Sequence, residues 1–472
     1  MSLRTLADAE PVRELRAGLS GGPAAWLVGG VVRDALLGRP VVDVDLAVAG
    51  DARATAQAVA RALGGPVFSL SESFGAWRAL DGQRRFHVDV SALQGDTIED
   101  DLARRDFTVN AIAVPLAGGD ALDPHGGARD LDQGLLRLVS PQAYEEDPLR
   151  PLRLVRLAAE LGLKPEGETE RLTAAAAARL SEPSPERVFA ELRRLVMAEG
   201  VLEGLELANR LGVLGAVLPE LTELEGMEQS RFHHLDVLDH TLEVLRQLIA
   251  IEANTAAVFG DLGPGVAAVL AEPLADELTR GQALRLGALF HDVGKPATRA
   301  IREDGRVTFI GHDRVGEQLV SDIFRRLRAS ERLRSFVARL TREHLRLGFL
   351  VHDRPLPPRG VHDYLRRCQP VEVEVTVLSC ADRMATAAPG QQEWIAAHLE
   401  LARGVMAAAL RWRADGPPPV PLRGDELARE LEMAPGPELG ALLTKLESAV
   451  YAGEVATREE AVAYARRVRE NR

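Results

Sequence analysis

In the segment VVDVDLAV, Asp43 and Asp45 sit two residues apart on an alternating apolar run. That run predicts a strand, so both carboxylates leave it on the same face. Two carboxylates side by side repel one another unless a cation lies between them. Mg²⁺ takes oxygen ligands, usually one or two carboxylates plus phosphate oxygens. Two such ions about 4 Å apart clamp the attacking and leaving oxygens in phosphoryl transfer. Asp89, in FHVDVSAL on another strand pattern, is available to complete the site. A lone D-x-D also describes a solvated strand face, so the neighbouring sequence has to decide. Upstream lies GGVVRD (29–34). Gly29 and Gly30 form a turn between an apolar strand and a helix start, where backbone amides can approach a triphosphate. Arg33 is placed to hold a phosphate, and Asp34 to hold Arg33.

The elements that must position these groups are legible on either side. AAWLVGG reads as a strand, VVRDALLG as a helix start and VVDVDLAVAG as a strand of period two. DARATAQAVARALGG is an amphipathic helix stopped by two glycines. PVFSL, WRALDG and RRFHVDVSAL are further strands. From about Ser140 strand signals nearly vanish. PLRLVRLAAELG, ETERLTAAAAARL and SPERVFAELRRLVMAEG are helices, the last with Ser184 as its cap and Pro185 at the first helical position. Helices continue after Phe232, interrupted by the Gly/Pro/Ala-rich acidic stretch around 252–281 and by PLPPRG (355–360). RADGPPPVPLRG (413–424) is a linker into a helical tail.

The length implies three to four domains. Hydrophobic residues at 46% and charged residues at 27% are those of an ordinary globular protein. No run approaches the roughly 20 apolar residues of a membrane span, and MSLRTLADAEPVRE lacks a signal-peptide apolar core. Cys368 and Cys380 are too few for a disulfide framework or a zinc cluster. The expectation is a cytoplasmic protein that does not engage membranes. A net charge of −13 argues against a general polyanion binder but leaves room for local basic surfaces. Lysine occurs only at 164, 295 and 445; arginine is the better phosphate fork, and the bias equally fits genomic composition.

Over residues 24–225 the chain resembles the bacterial-class tRNA nucleotidyltransferase and poly(A) polymerase family. The resemblance rests on the order of GGVVRD, DVDL, RRDFTVNA (104–111), DPHGGARDL (123–131), EDPLRPLRLVRLAAELG (146–162) and SPERVFAEL (184–192). It implies an α+β multidomain protein whose α/β head carries a mixed sheet, followed by an all-α neck. It implies Asp43 and Asp45 as metal ligands for Mg²⁺, and Gly29, Gly30 and Arg33 on the triphosphate. Arg105, Asp106 and Asn110 would hold sugar and phosphates.

In the block Glu146-Asp147-Pro148-Leu149-Arg150 the family counterpart reads the incoming base with the Asp and the Arg. A carboxylate only accepts hydrogen bonds and a guanidinium only donates. Cytosine and adenine both offer an amino donor beside a ring-nitrogen acceptor, whereas uracil and guanine offer the reverse order. An Asp147/Arg150 fork therefore admits CTP and ATP. A wrong base leaves buried polar groups unpaired, at about 1–3 kcal/mol each. Arg153 and Arg156 continue the face of Arg150 at spacing three, with Arg153 placed to buttress the base-reading face. Arg187, Arg193 and Arg194 are candidates for RNA phosphates. One departure stands out: SALQGDTIEDDLA after Asp89 is shorter than the mobile loop of members that add C, C and A. Leu93 or Gln94 also stands where those members carry an Arg. A short loop marks members that add CC only, so CMP addition is the expectation here, with AMP addition left open.

The C-terminal half holds His240 (LDHTLEVL), His291-Asp292 (LFHDVGKP), His312 (FIGHDRVGEQL), His344 (REHL) and Asp382 (SCADRMA). Such ligands on successive helices can converge on a divalent ion, with Lys295 placed to hold a phosphate. Over about 230–390 the chain resembles the HD phosphohydrolase superfamily. That resemblance implies His240, His291, Asp292 and Asp382 as ligands, with His312 and His344 available for a second ion. The metal would be Mn²⁺, Ni²⁺, Mg²⁺ or Fe²⁺, activating a water against a phosphoester. His233 and His234 stay unassigned.

These readings divide the chain into a head (1–138), a helical neck and body (139–228), an HD domain (229–412) and a linker with a helical tail (413–472). The expected partners are tRNA, CTP and ATP, with a homodimer left open. The competing functions are a poly(A) polymerase, a protein that is primarily an HD phosphohydrolase, and a silent RNA-binding protein. The full set Asp43, Asp45, Asp147 and Arg150 argues against a primary phosphohydrolase, and two complete sites argue against a silent RNA-binding protein.

Overall fold

A computed structural model describes residues 6, 9–41, 43–71, 75–229, 235–386 and 392–470. The unassigned His233 and His234 lie outside these residues. The chain forms two compact units, 1–217 and 218–472.

The first unit is built on a six-stranded mixed sheet in the order β3-β4-β5-β2-β1-β6. Its strands are β1 (Ala25–Val28), β2 (Asp43–Val48), β3 (Val67–Ser71), β4 (Ala76–Leu80), β5 (His87–Ala92) and β6 (Ala113–Pro115). Only β2 and β5 pair in parallel; the other four pairings are antiparallel. Strand alternation sends Val44, Leu46, Val88, Val90 and Ala79 into the core. The amphipathic helix α1 (Ala52–Leu63) packs against β4 and β5 with Ala56, Val59 and Ala60 buried. Asp51 caps this helix by accepting from the Ala54 amide, and Gly64 ends it in the left-handed region, where glycine carries no Cβ penalty. The opposite face of β2, β5 and β4 is left to polar residues. Downstream, α2 (Arg150–Leu161), α3 (Pro185–Met197) and α4 (Val201–Arg210) pack side by side. Ser184 stands at the predicted cap position, with Pro185 following, but its hydroxyl makes no capping bond.

The second unit is almost wholly helical. Its central helices are α5 (Val237–Ala253), α6 (Arg280–Phe290), α7 (His312–Arg326), α8 (Glu331–Glu343), α9 (Glu372–Ala385) and α10 (Gln392–Asp415). The stretch 252–281 is not the interruption its composition predicts. It forms helices at Thr255–Phe259 and Gly263–Ala271 before a short hairpin. Asn254 supplies the local reason, since its side chain accepts from the Ala257 amide and starts a new helix. After the linker, helices at 424–430, 437–451 and 458–470 close around their own core of Leu427, Leu442, Leu446, Ala461 and Tyr464. No helix among the described residues is long and apolar enough to cross a membrane.

Candidate functional sites

Sheet register, rather than sequence spacing, assembles the first site. Asp45 lies directly opposite Asp89 across the parallel β2–β5 pair, and Asp43 opposite His87. Directly opposed residues share a face, so the three carboxylates line one cleft. Asp43 is largely exposed and 3.2 Å from His87 Nδ1. Asp45 is enclosed. Burial, then the charge of Asp89, pushes its pKa up to about 6 against the pull of Arg105. A carboxylate that resists ionisation beside two others is the local signature of a site whose charge balance requires a cation. The donor set, all carboxylate oxygens, suits a hard ion such as Mg²⁺.

The cleft has a volume of about 1000 Å³ and is lined by both glycines of the turn, the three carboxylates and nine arginines. Gly29 adopts φ +71°, and a Cβ there would lie 3.0 Å from Arg105 Nη1 and 3.3 Å from Asp45 Oδ2. A side chain at that turn would fill the approach to the carboxylates. Arg33 is buried and fixed: it donates twice to Asp34, at 2.9 and 3.0 Å, and once to Asn110 Oδ1 at 2.7 Å. Asn110 Nδ2 donates onward to Asp106 Oδ1 at 3.0 Å, and Asp106 Oδ2 accepts from Arg153 at 3.3 Å. Arg153 and Arg156 both donate to Glu191, and Arg156 also to Glu160. One hydrogen-bonded chain thus runs from the glycine turn to the row of arginines on α2.

Asp147 and Arg150, the pair expected to read the base, are both partly engaged. Asp147 accepts from the Leu149 amide at 3.2 Å and from Arg187 at 2.7 Å. The Nη groups of Arg150 donate to the carbonyls of Arg104 and Ala143, while its buried Nε has no partner. Arg156 is buried and spends its guanidinium on Glu160 and Glu191, so it does not present a free donor to the cleft as the sequence predicted.

Two groups escaped the sequence reading. Glu191 lies within the quoted SPERVFAEL block, and only helix packing shows that it ties Arg153 to Arg156. Arg78, in WRALDG, grips Asp89 with two 2.7 Å bonds. The β4–β5 register that brings them together has no signal in spacing.

The second unit gathers all six predicted metal ligands. His240, His291 and Asp382 form one triad and Asp292, His312 and His344 another, with ligand atoms within 4.8 Å of each other in each. His291, His312 and His344 each hold a backbone carbonyl three residues upstream through Nδ1, at 2.7–2.8 Å. This fixes Nε2 as the outward atom, the tautomer control usual for histidine ligands. The Nε2 atoms of His312 and His344 face one another at 3.3 Å. Two lone pairs so placed call for a cation or a proton. His291 Nε2 is buried without a hydrogen bond, 3.1 Å from Asp292 Oδ2. Burial, then the charges of His291 and His312, pushes the His344 pKa down to about 3, so its ring stays neutral and able to ligate. Burial disfavours the Asp292 charge, yet His291 and Lys295 hold its carboxyl well below the usual range. Gly294 is compulsory here: a Cβ would meet the His312 carbonyl oxygen at 2.2 Å. Lys295 is buried, 2.6 Å from Asp292 and 2.6 Å from Gln229 Oε1.

Three family models match the chain. They are the Poly A polymerase head domain over 25–137, the probable RNA and SrmB-binding site of polymerase A over 162–225, and the HD domain over 237–387. An A-adding tRNA nucleotidyltransferase of Deinococcus radiodurans is 37% identical, covering 94% of this chain and 95% of the relative. A CC-adding tRNA nucleotidyltransferase of Thermus thermophilus is 35% identical, covering 93% and 92%. A solved CCA-adding enzyme in complex with ATP superposes with a TM-score of 0.66 at 20% identity, over 99% of both chains, which shows a shared fold. Fold and site together define a nucleotidyltransferase head followed by an HD domain. The chain belongs to the tRNA nucleotidyltransferase family, whose relatives include the A-adding, CC-adding and multifunctional CCA enzymes.

Proposed function

We propose that this chain adds CMP from CTP to the 3′ end of tRNA lacking its CCA, without a nucleic-acid template, and leaves the terminal A to a partner enzyme. The observation that carries nucleotide addition is the opposition of Asp45 and Asp89 in one cleft with Gly29, Arg33, Asp147 and Arg150. Asp43 and Asp45 would hold Mg²⁺, which supplies charge stabilisation at the reacting phosphate and at the attacking hydroxyl. The chain's own groups do the placing. The Gly29–Gly30 turn and Arg33 meet the triphosphate, and Asp106 and Asn110 keep Arg33 and Arg153 aligned. Asp147 and the guanidinium of Arg150 would present an acceptor and a donor to the base edge, the order that cytosine and adenine match. CTP, ATP and tRNA are the substrates this reading requires. Solved relatives at 18–20% identity include complexes with tRNA, CTP and ATP.

The restriction to CC rests on residues 93–97. This turn is short and pinned: Gln94 N donates to Asp101 Oδ1, and Thr97 caps the following helix in a reciprocal capping box. A segment tied at both ends lacks the reach to reshape the pocket for a second base. The A-adding relative at 37% identity favours the alternative, ATP as the single substrate. Labelled CTP, ATP or both, offered to tRNAs ending before C74, C75 and A76, decides among them. CC addition predicts two cytidines and no terminal adenosine, and efficient adenosine transfer overturns it. Asp43→Ala and Asp45→Ala are the null controls.

The second unit is proposed as a metal-dependent phosphohydrolase acting on 2′,3′-cyclic phosphates or phosphomonoesters at damaged RNA ends. Its two triads would hold Mn²⁺, Ni²⁺, Mg²⁺ or Fe²⁺. A head to 138, a neck and body to 228, an HD domain to 412 and a tail from 413 is the division of labour proposed, in a cytoplasmic protein.

A further inference from the structure

The sheet carries a row of residues that continues past the catalytic carboxylates to the edge strand. Asp45 on β2 faces Asp89 on β5, Asp89 faces Arg78 on β4, and Arg78 faces Phe68 on β3. Directly paired residues on neighbouring strands share a face, so all four sit on the cleft side of the sheet, away from α1. The other face is identified independently: Trp77, next to Arg78, stacks under Arg53 of α1 at 5.1 Å. Phe68 is 44% exposed, an aromatic ring left on the surface beside a charged cleft. Leu70, equally exposed, sits at the irregularity where the β3–β4 register shifts. From Asp45 to Phe68 the row spans three strand spacings, about 14 Å.

The strand order says which substrate this row faces. The glycine turn that meets the triphosphate follows β1, on one side of β2. The row through Asp89, Arg78 and Phe68 leaves β2 on the other side. Nucleotidyl transfer breaks the bond from the α-phosphorus to the pyrophosphate oxygen while the 3′-oxygen of the RNA forms a new one. Attacking and leaving oxygens lie roughly in line. With pyrophosphate departing toward the β1 turn, the attacking 3′-hydroxyl must enter from the β5 side. We propose that Arg78 and Phe68 form the seat of the single-stranded 3′ end of the RNA primer. This rests on the nucleotidyl-transfer reading and names residues that reading does not use.

The chemistry of each group fits that occupant. Arg78 has five N–H donors and spends two on Asp89. The remaining three can hold a primer phosphate while Asp89 stays fixed, so one guanidinium couples the third carboxylate to the incoming strand. Phe68 supplies the face on which an unpaired base stacks, a contact tolerant of base identity because every base has a π-face. Tolerance is required of a primer seat: the penultimate base changes with each addition.

The test is steady-state addition of CMP to truncated tRNA by the full chain, with equilibrium binding of the same tRNA in EDTA. Phe68→Ala raises the KM for tRNA and the Kd about tenfold, the usual effect of removing one stacked base. It leaves the KM for CTP and kcat within about twofold, which also reports an intact fold. Phe68→Trp restores tRNA affinity; Phe68→Leu, apolar but without a π-face, does not. Arg78→Lys weakens tRNA binding and flattens its salt dependence less than Arg78→Ala does. An unchanged tRNA KM and Kd in Phe68→Ala, an equal rise in the KM for CTP, or full rescue by leucine overturns the proposal. If the wild-type chain transferred no nucleotide, the function reading would fail, while the binding arm would still decide the primer seat.

Discussion

Asp45 concentrates the electrostatics of the first site on one atom pair. Burial and the neighbouring Asp89 raise its pKa to about 6, so the metal-free protein takes up a proton there as pH falls through that value. The sign follows directly. A divalent cation needs the carboxylate ionised, so proton and metal compete, and apparent Mg²⁺ affinity falls about tenfold per unit below pH 6. Above that pH the charge is present and the affinity levels off. An ion that bound only the folded site would stabilise the protein by an amount that grows with the logarithm of that affinity. Millimolar Mg²⁺ should therefore raise the melting temperature more at pH 7.5 than at pH 5.5. Asp45→Asn should erase the difference between the two pH values. An equal shift at both pH values in the parent protein would mean that Asp45 is already ionised at pH 5.5.

Between elements, the coupling runs through Glu191, which ties α3 to α2 by accepting from both Arg153 and Arg156. Removing it leaves Arg156 buried with Glu160 as its remaining carboxylate. Leaving a buried charge with no partner costs about 3–5 kcal/mol, and the retained Glu160 keeps the loss below that. Glu191→Ala should lower the denaturation midpoint accordingly and raise the KM for CTP, because Arg153 loses the anchor that aligns Asp106. Urea unfolding alongside CTP kinetics checks both; a stability loss without a change in KM would make Glu191 purely structural. In the second unit, Gly294→Ala forces a Cβ against the His312 carbonyl at 2.2 Å. Forced overpacking of this kind costs about 1–3 kcal/mol. The loop bearing His291 and Asp292 must then move away from His312, and the expected result is loss of metal retained through purification, read by elemental analysis. These elements also show what sequence could tell. The D-x-D strand, the glycine turn and the ordered His/Asp set were legible because each is a local pattern of residue type and period. Arg78 was not, because its partner is fixed by strand register, and Glu191 was not, because its role arises where two helices cross. The stretch 252–281 read as an interruption because its Gly and Pro content masks a cap at Asn254 that restarts the helix.

At the scale of the whole chain, two sites of opposite chemistry reside in separately compact units. The first, in residues 1–217, offers carboxylate oxygens and arginines; the second, in 218–472, offers imidazoles with carboxylates. Oxygen-only donors suit Mg²⁺, whereas imidazole-rich donors suit transition ions. The two should therefore respond to different metals. Exchanging Mg²⁺ for Mn²⁺ or Ni²⁺ should enhance phosphoester hydrolysis relative to nucleotide addition. The sharper prediction concerns ligands. Replacing both His291 and Asp292 by Ala removes one ligand from each triad, so neither can close around an ion. Hydrolysis of a 2′,3′-cyclic phosphate should then fall to background. CMP addition to truncated tRNA should persist within about twofold, because no group in the cleft of the first unit comes from beyond residue 217. The converse variant, Asp43→Ala with Asp45→Ala, should abolish addition and spare hydrolysis. If either pair of substitutions eliminated both activities while the melting transition stayed intact, the two chemistries would have to share a site. The separation of their ligands into two units would then not be a separation of function.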